Sequence, residues 1–273
     1  MIPIKDENPT ARPAVVTVLL LVACAAVWFF VQQARTGTVV VTVPATGQQI
    51  QMDASLAFTL EYAAVPCELT QGEPLSVGEL EATFNQGSTE ACGAGGEFQN
   101  AEVFPEKPIW LTAVLSMFLH GSLLHLGGNL LFLWIFGNNV EDRLGHFGYV
   151  VFYLVGGVVA TVAHVLVNSN STLPVVGASG AIAAVMGAYL VWFPNVRIRT
   201  LITAFFIWFT EVRAKWLLGF WFVLQFLTSD NSGVAWVAHV AGFVFGVVVA
   251  LLIGPGRTTP RADRPVLGDP YWA

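Results

Sequence analysis

Ala235-Trp-Val-Ala-His-Val-Ala-Gly-Phe-Val-Phe-Gly-Val-Val-Val-Ala-Leu-Leu-Ile253 is an apolar run interrupted by one imidazole, that of His239. It has close to the ~20 residues that a helix needs to cross a ~30 Å hydrocarbon core. A polar side chain there costs on the order of several kcal/mol unless it is partnered. Polar residues within such runs are therefore functional candidates. Two other stretches share the feature: Gly177-Ala-Ser-Gly180 opens one apolar run, and His120-Gly-Ser-Leu-Leu-His-Leu-Gly-Gly-Asn129 opens another.

Composition extends the membrane reading to the whole chain. Its 273 residues are 55% hydrophobic and 11% charged, whereas a soluble domain carries about 25% charged residues. Six spans follow, at 14–33, 122–140, 147–167, 179–193, 215–229 and 235–253, the fourth and fifth short. Lys and Arg orient them. With a cytoplasmic N-terminus, the inner segments hold Lys5, Arg12, Arg143, Arg197, Arg199, Arg213, Lys215, Arg257, Arg261 and Arg264. Of the 12 cations, only Arg35 and Lys107 then lie outside, so both termini are expected in the cytoplasm. The first run is longer than a signal-peptide core and lacks a small-residue cleavage pattern at Gln32-Gln33-Ala34, which reads as an uncleaved anchor. The expected fold is an all-α polytopic membrane protein with a large extracytoplasmic insertion between helices 1 and 2. Its parts are a cytoplasmic N-terminus (1–13), a first transmembrane helix (14–33), the insertion (34–108), a core of helices 2–6 (109–253) and a cytoplasmic tail (254–273). Nothing in the charge pattern suggests a nucleic-acid partner.

The insertion is acidic. Within it, Thr38-Val-Val-Val-Thr-Val43 reads as a strand, Gly47-Gln-Gln as a turn and Ile50 as the start of a returning strand. The part around Gly93-Ala-Gly-Gly96 reads as loop. Cys67 and Cys92 share this outer, oxidising side and form a possible disulfide, while Cys24 lies in the first span. Residues 104–119 are expected at the outer interface. Residues 200–210 are apolar but too short to cross, and read as an inner-face interfacial segment.

Ser179 enters the fourth span from outside between glycines, which let another backbone approach its hydroxyl. A serine is a weak nucleophile until a base takes its proton. His239 is the candidate base, since its depth in the last span is within a turn or two of that of Ser179. Ala235, Ala238, Gly242 and Gly246 form a small-residue stripe beside it, suited to tight packing on the glycine-lined start of the fourth span. His125 and Asn129 are spaced i,i+4 on one helix face, with His120 five residues earlier. Asn and His are suitable donors to an oxyanion. The pattern lacks the Glu and carboxylate ligands of a zinc site, so no metal is expected. His164 and Asn168 read as structural, and His146, after Glu141-Asp-Arg143, as surface.

These residues resemble the rhomboid family of intramembrane serine proteases over roughly 109–253. The family's His-x4-His-x3-Asn pattern is met by His120, His125 and Asn129, and its Gly-x-Ser-Gly pattern by Gly177, Ser179 and Gly180, with Gly187 beyond. Ala-His-x-x-Gly-x-x-x-Gly is met by Ala238, His239, Gly242 and Gly246, and Glu141-Asp-Arg143 also resembles a family feature. The resemblance implies Ser179 as nucleophile and His239 as general base, a dyad without an acidic third member. It implies an oxyanion hole of His125, Asn129 and the Ser179 N–H, with His120, Gly177, Gly180 and Gly242 supporting. It further implies no metal or organic cofactor, and substrates that are single-span membrane proteins cut near the outer face. Two departures stand out. Some members stack an aromatic residue on the histidine from the position held here by Ala183, with Phe243 and Trp236 as possible substitutes. The insertion at 34–108 is also longer than the family's usual first loop. A catalytically silent rhomboid-like binder is the alternative reading; a six-span transporter would need paired intramembrane charges or repeat symmetry, which the spans do not offer.

Overall fold

The computed structural model of the chain describes residues 1–95, 100–203, 207–227 and 235–254. Two compact units are formed, one from Met1–Val22, Gly127–Val159 and Ser179–Ala273, the other from Ala23–Leu126 and Ala160–Ala178. The expected tail falls outside the described residues apart from Gly254, as do Gly96 of the glycine-rich loop and residues 228 and 229 of the fifth expected span.

Among the described residues, three helical stretches are long and apolar enough to cross a membrane. The first joins α1 (Val15–Ala26) to a π-helical turn, Val27–Gln32. The second is α6 (Leu123–Val167) and the third is α9 (Trp236–Ile253). At ~1.5 Å per residue, the 45 residues of α6 would form a rod more than twice as long as a ~30 Å core. Gly145 interrupts it at φ 71° and ψ 162°, a conformation that a side chain would resist. The break falls between the second and third expected spans. Leu19 and Leu252, at 61% and 82% exposure, leave apolar surface uncovered on α1 and α9, as lipid contact requires. The two expected short spans correspond to α7 (Ser179–Trp192) and α8 (Ala214–Gln225).

The chain is mainly helical but not all-α. In the first unit β1 (Ile2–Asp6), β4 (Arg197–Thr203) and β5 (Ile207–Arg213) form an antiparallel sheet in the order β1-β4-β5. The expected interfacial segment at 200–210 therefore belongs to a hairpin, and the N-terminal stretch 1–13 contributes the third strand. The correction has a local cause: Ile198, Thr200, Ile202, Trp208, Thr210 and Val212 are β-branched or aromatic, the types that fit a pleated surface. Ile198 and Thr200 face inward at 0% exposure while Arg197 and Arg199 face out, the alternation of a half-buried strand.

The second unit holds the expected hairpin, with β2 (Thr38–Thr42) paired to β3 (Gln49–Asp53). The short helices α2 (Ala54–Tyr62), α3 (Pro66–Gln71), α4 (Val77–Phe84) and α5 (Ile109–Leu115) follow. Side-chain caps fix the starts of α2 and α4: the Asp53 side chain accepts from the N–H groups of Ser55 and Leu56, and Ser76 and Glu79 form a capping box. Val43, Leu60, Val65, Leu75, Val77, Leu80 and Val103 gather into a core around Cys67, which is disulfide-bonded to Cys92. A buried ion pair joins Lys107 to Glu68, and Lys107 also donates to the Leu60 carbonyl. The segment leading toward α7 is sewn into the same unit, through Cys67 N–H to Ser171 O at 2.9 Å and Val175 N–H to Ala64 O at 2.7 Å.

Candidate active site

Helices α7 and α9 meet along glycine. A Cβ on Gly242 would lie 2.1 Å from the Gly180 carbonyl oxygen, and one on Gly246 would lie 1.9 Å from that of Ala184. On the facing helix, a Cβ on Gly187 would lie 2.1 Å from the Phe243 carbonyl oxygen. Each distance is far inside van der Waals contact, so the helices approach backbone to backbone only because these positions lack side chains.

That approach brings the serine and histidine together. His239 Nε2 lies 2.8 Å from Ser179 Oγ, a hydrogen-bond distance. Ser179 is half-buried and is the first residue of α7. Its backbone N–H is among the donors that helical geometry leaves without an intrahelical acceptor, at the positive end of the helix dipole. The other ring nitrogen, His239 Nδ1, lies 2.8 Å from Gln225 Oε1, and Gln225 Nε2 donates to the Trp221 carbonyl at 2.9 Å. The Trp221 ring packs on the imidazole at a centroid distance of 5.8 Å. Phe243 packs at a tilt on Trp221 at 6.0 Å, one ring removed, and Trp236 packs on Phe226, also at 6.0 Å. Ala183 is fully buried in α7.

Of the other residues singled out by sequence, Asn129, Gly180 and Gly242 belong to the first unit with the serine and histidine. Asn129 is buried, and its Nδ2 has no hydrogen-bond partner among the described residues. Such a buried donor is costly to leave idle. His120, His125, Gly177, Cys67 and Cys92 belong to the second unit. The His120 backbone is held on both sides by Gln32, which accepts from its N–H and donates to its carbonyl, each at 3.0 Å. Its ring lies edge-on to that of His125 at 5.4 Å. The His125 N–H donates to Ser122 Oγ, the N-cap of α6. Gly177 takes φ 118° and donates its N–H to the Ser116 carbonyl, setting the turn into α7. Asn168 Nδ2 lies 3.4 Å from His164 Nδ1 and donates to the His164 carbonyl, a local helix-end pairing.

Sequence reasoning missed Gln225 and Trp221, both on α8. Gln225 carried the same signal as His239, a lone polar side chain in the apolar run Trp221-Phe-Val-Leu-Gln-Phe-Leu227. His146 is exposed, as expected, and its Nδ1 lies 2.6 Å from the buried Glu141 carboxylate. Among the described residues, the one cluster of potential metal ligands is Cys67, Cys92 and Glu79, whose two sulfurs are already bonded to each other.

The rhomboid domain family matches residues 107–256. The chain is 30% identical over 175 residues to the rhomboid protease GluP of Bacillus subtilis (strain 168), covering 64% of this chain and 32% of that protein. It is 43% identical over 75 residues to rhomboid-like protein 11, chloroplastic, of Arabidopsis thaliana, covering 28% and 26% respectively. It is 31% identical over 143 residues to the presenilin-associated rhomboid-like protein, mitochondrial, of Bos taurus, covering 49% and 36%. The matched stretches thus span between 26% and 36% of these relatives' own lengths.

Proposed function

The chain belongs to the rhomboid family, and from that premise we propose that it is an intramembrane serine endopeptidase acting on single-span membrane proteins. The observation that carries the proposal is the 2.8 Å contact between Ser179 Oγ and His239 Nε2. Nucleophile and base within hydrogen-bond reach, with the base oriented by a third group, is the arrangement that activates a serine.

The chemistry runs as acyl transfer. Ser179 Oγ attacks the scissile carbonyl carbon while His239 Nε2 takes its proton. The carbonyl oxygen becomes an oxyanion, and the Ser179 N–H and the unpaired Asn129 amide are the proposed donors to it. On the sequence pattern, His125, one turn before Asn129 on α6, is the further donor, with His120 behind it. Collapse breaks the C–N bond, and the imidazolium gives its proton to the leaving amine. Water then repeats the sequence on the acyl-enzyme, restoring Ser179. These steps use only the chain's own groups and water. Because a substrate helix hydrogen-bonds its own peptide groups, it must unwind locally before attack, and that step limits the rate.

The proposed topology has six spans, N- and C-termini in the cytoplasm and the site open to the outer face of a bacterial or archaeal cytoplasmic membrane. The cation asymmetry supports this orientation. Residues 34–108 would then lie outside, at the side from which substrate segments approach.

Purified protein in detergent, treated with a fluorophosphonate probe, tests the reading. Labelling of the wild type, lost in both Ser179→Ala and His239→Ala, is expected. A folded wild type that does not label would overturn it in favour of a silent rhomboid-like binder of membrane proteins.

A further inference from the structure

We propose that Gln225 is the positioning residue for His239, filling with a neutral amide the place that a carboxylate holds in a Ser-His-Asp triad. The inference rests on the reading of Ser179 and His239 as nucleophile and base.

The bonding has one consistent direction. The Trp221 carbonyl only accepts, so the amide group of Gln225 must present its nitrogen to it, 2.9 Å away. Reversing the amide would set two oxygens against each other. The Gln225 oxygen therefore faces His239 Nδ1 at 2.8 Å, and since a carbonyl oxygen carries no hydrogen, Nδ1 must be the protonated ring nitrogen. A neutral imidazole protonated at Nδ1 has its lone pair on Nε2, the atom 2.8 Å from Ser179 Oγ. Backbone carbonyl, amide and imidazole thus fix the tautomer that can take the serine proton.

The geometry is built from one helix. Trp221 and Gln225 are a turn apart on α8, so the ring of the first packs at a tilt against the imidazole while the side chain of the second holds its edge. Gln225 is 7% exposed, so its amide is desolvated and its hydrogen bonds are correspondingly firm. The choice of an amide also has a physical reason. An ionised carboxylate at that position would cost several kcal/mol, on the order of the penalty for charges inside the bilayer, whereas a neutral acceptor orients the ring without it.

The test uses the full chain in detergent or nanodiscs, with fluorophosphonate labelling rates measured against pH for wild type, Gln225→Leu and Gln225→Glu. Leucine removes the acceptor, and labelling should slow by about 10- to 100-fold. Glutamate restores an acceptor and adds negative charge that favours the imidazolium. Labelling should therefore persist at alkaline pH, while the acid limb of the profile moves up by about one pH unit or more. A residue that only packs would not move that limb. Rates and acid limbs unchanged in both variants would overturn the inference and leave the dyad standing, since the wild type still labels. Nitrogen-15 NMR of His239 gives a readout independent of activity: an Nδ1–H tautomer in the wild type, lost in Gln225→Leu, is expected. An Nε2–H tautomer in the wild type would overturn the proposal even if no form labels, and absence of wild-type labelling counts against the protease reading alone.

Discussion

Glu141 holds Thr17 by both backbone and side chain: one carboxylate oxygen accepts from the Thr17 amide and from its hydroxyl, each at 2.7 Å. The other accepts from the Val16 amide at 2.8 Å and meets His146 Nδ1 at 2.6 Å. Val16 and Thr17 lie in the first turn of α1, whose N–H groups have no intrahelical acceptor. A buried anion there satisfies the donors and complements the helix dipole.

Glu141→Ala should therefore destabilise the protein by about 3 kcal/mol or more, because it strands buried donors. Glu141→Gln keeps the shape and one acceptor, and should cost roughly half as much. Thermal unfolding in detergent measures both. Equal melting points for wild type and alanine variant would refute the capping role.

The α7–α9 contact predicts a sharp contrast between glycines. Gly246→Ala would place a methyl 1.9 Å from the Ala184 carbonyl oxygen, so the helices must separate, at about 1–3 kcal/mol for overpacking. Separation also lengthens the Ser179–His239 contact, so fluorophosphonate labelling should fall at least tenfold, roughly the effect of weakening general-base catalysis. On α8, a Cβ at Gly219 would meet nothing within 4 Å. Gly219→Ala should then leave labelling unchanged and raise stability slightly, by about 0.4–1 kcal/mol.

What the sequence disclosed follows the range of the interactions involved. Ser179 and His239 stood out because each is an isolated polar group near the start of an apolar run, and the stripe through Ala238, Gly242 and Gly246 announced a close helix contact. The β2–β3 hairpin was legible because every residue of Thr38–Val43 is β-branched and a Gly47 turn follows. The place of β1 in the β1-β4-β5 sheet was not, since Ile2 pairs with Leu201 across most of the chain and such pairing leaves no local signature. Gln225 was visible as a lone amide among Trp, Phe, Val and Leu. Its role was not, because the role depends on which ring nitrogen it reaches, and that is set by the packing of α8 on α9.

The disulfide predicts a local effect as well as a global one. Closing the 25-residue separation between Cys67 and Cys92 restricts the unfolded chain by about 3 kcal/mol, so Cys67→Ser with Cys92→Ser should lower stability by that order. The Cys67 amide also donates to the Ser171 carbonyl, and Ala64 bridges Val175. Hydrogen exchange should therefore rise in residues 171–176 of the double variant, in the segment that precedes Ser179. Unchanged protection there would show that the backbone bonds hold that segment without the disulfide.

Asp6 predicts the pH dependence. Its carboxyl is buried in β1, accepting from the Tyr189 hydroxyl at 2.9 Å and from Asn139 Nδ2 at 2.6 Å. Burial pushes it up to about 6 from an ordinary 3.8, although the Tyr189 hydrogen bond pulls the other way. Folding thus favours the protonated form. The stabilisation is fully present below pH 3.8, declines as pH rises, and is lost once pH passes about 6. A shift of this size corresponds to about 3 kcal/mol. Asp6→Asn has no proton to lose, so its stability should be flatter between pH 4 and 6 than that of the wild type. Unfolding in detergent across that window measures the slope, and an identical slope in the two proteins would show that Asp6 does not titrate there.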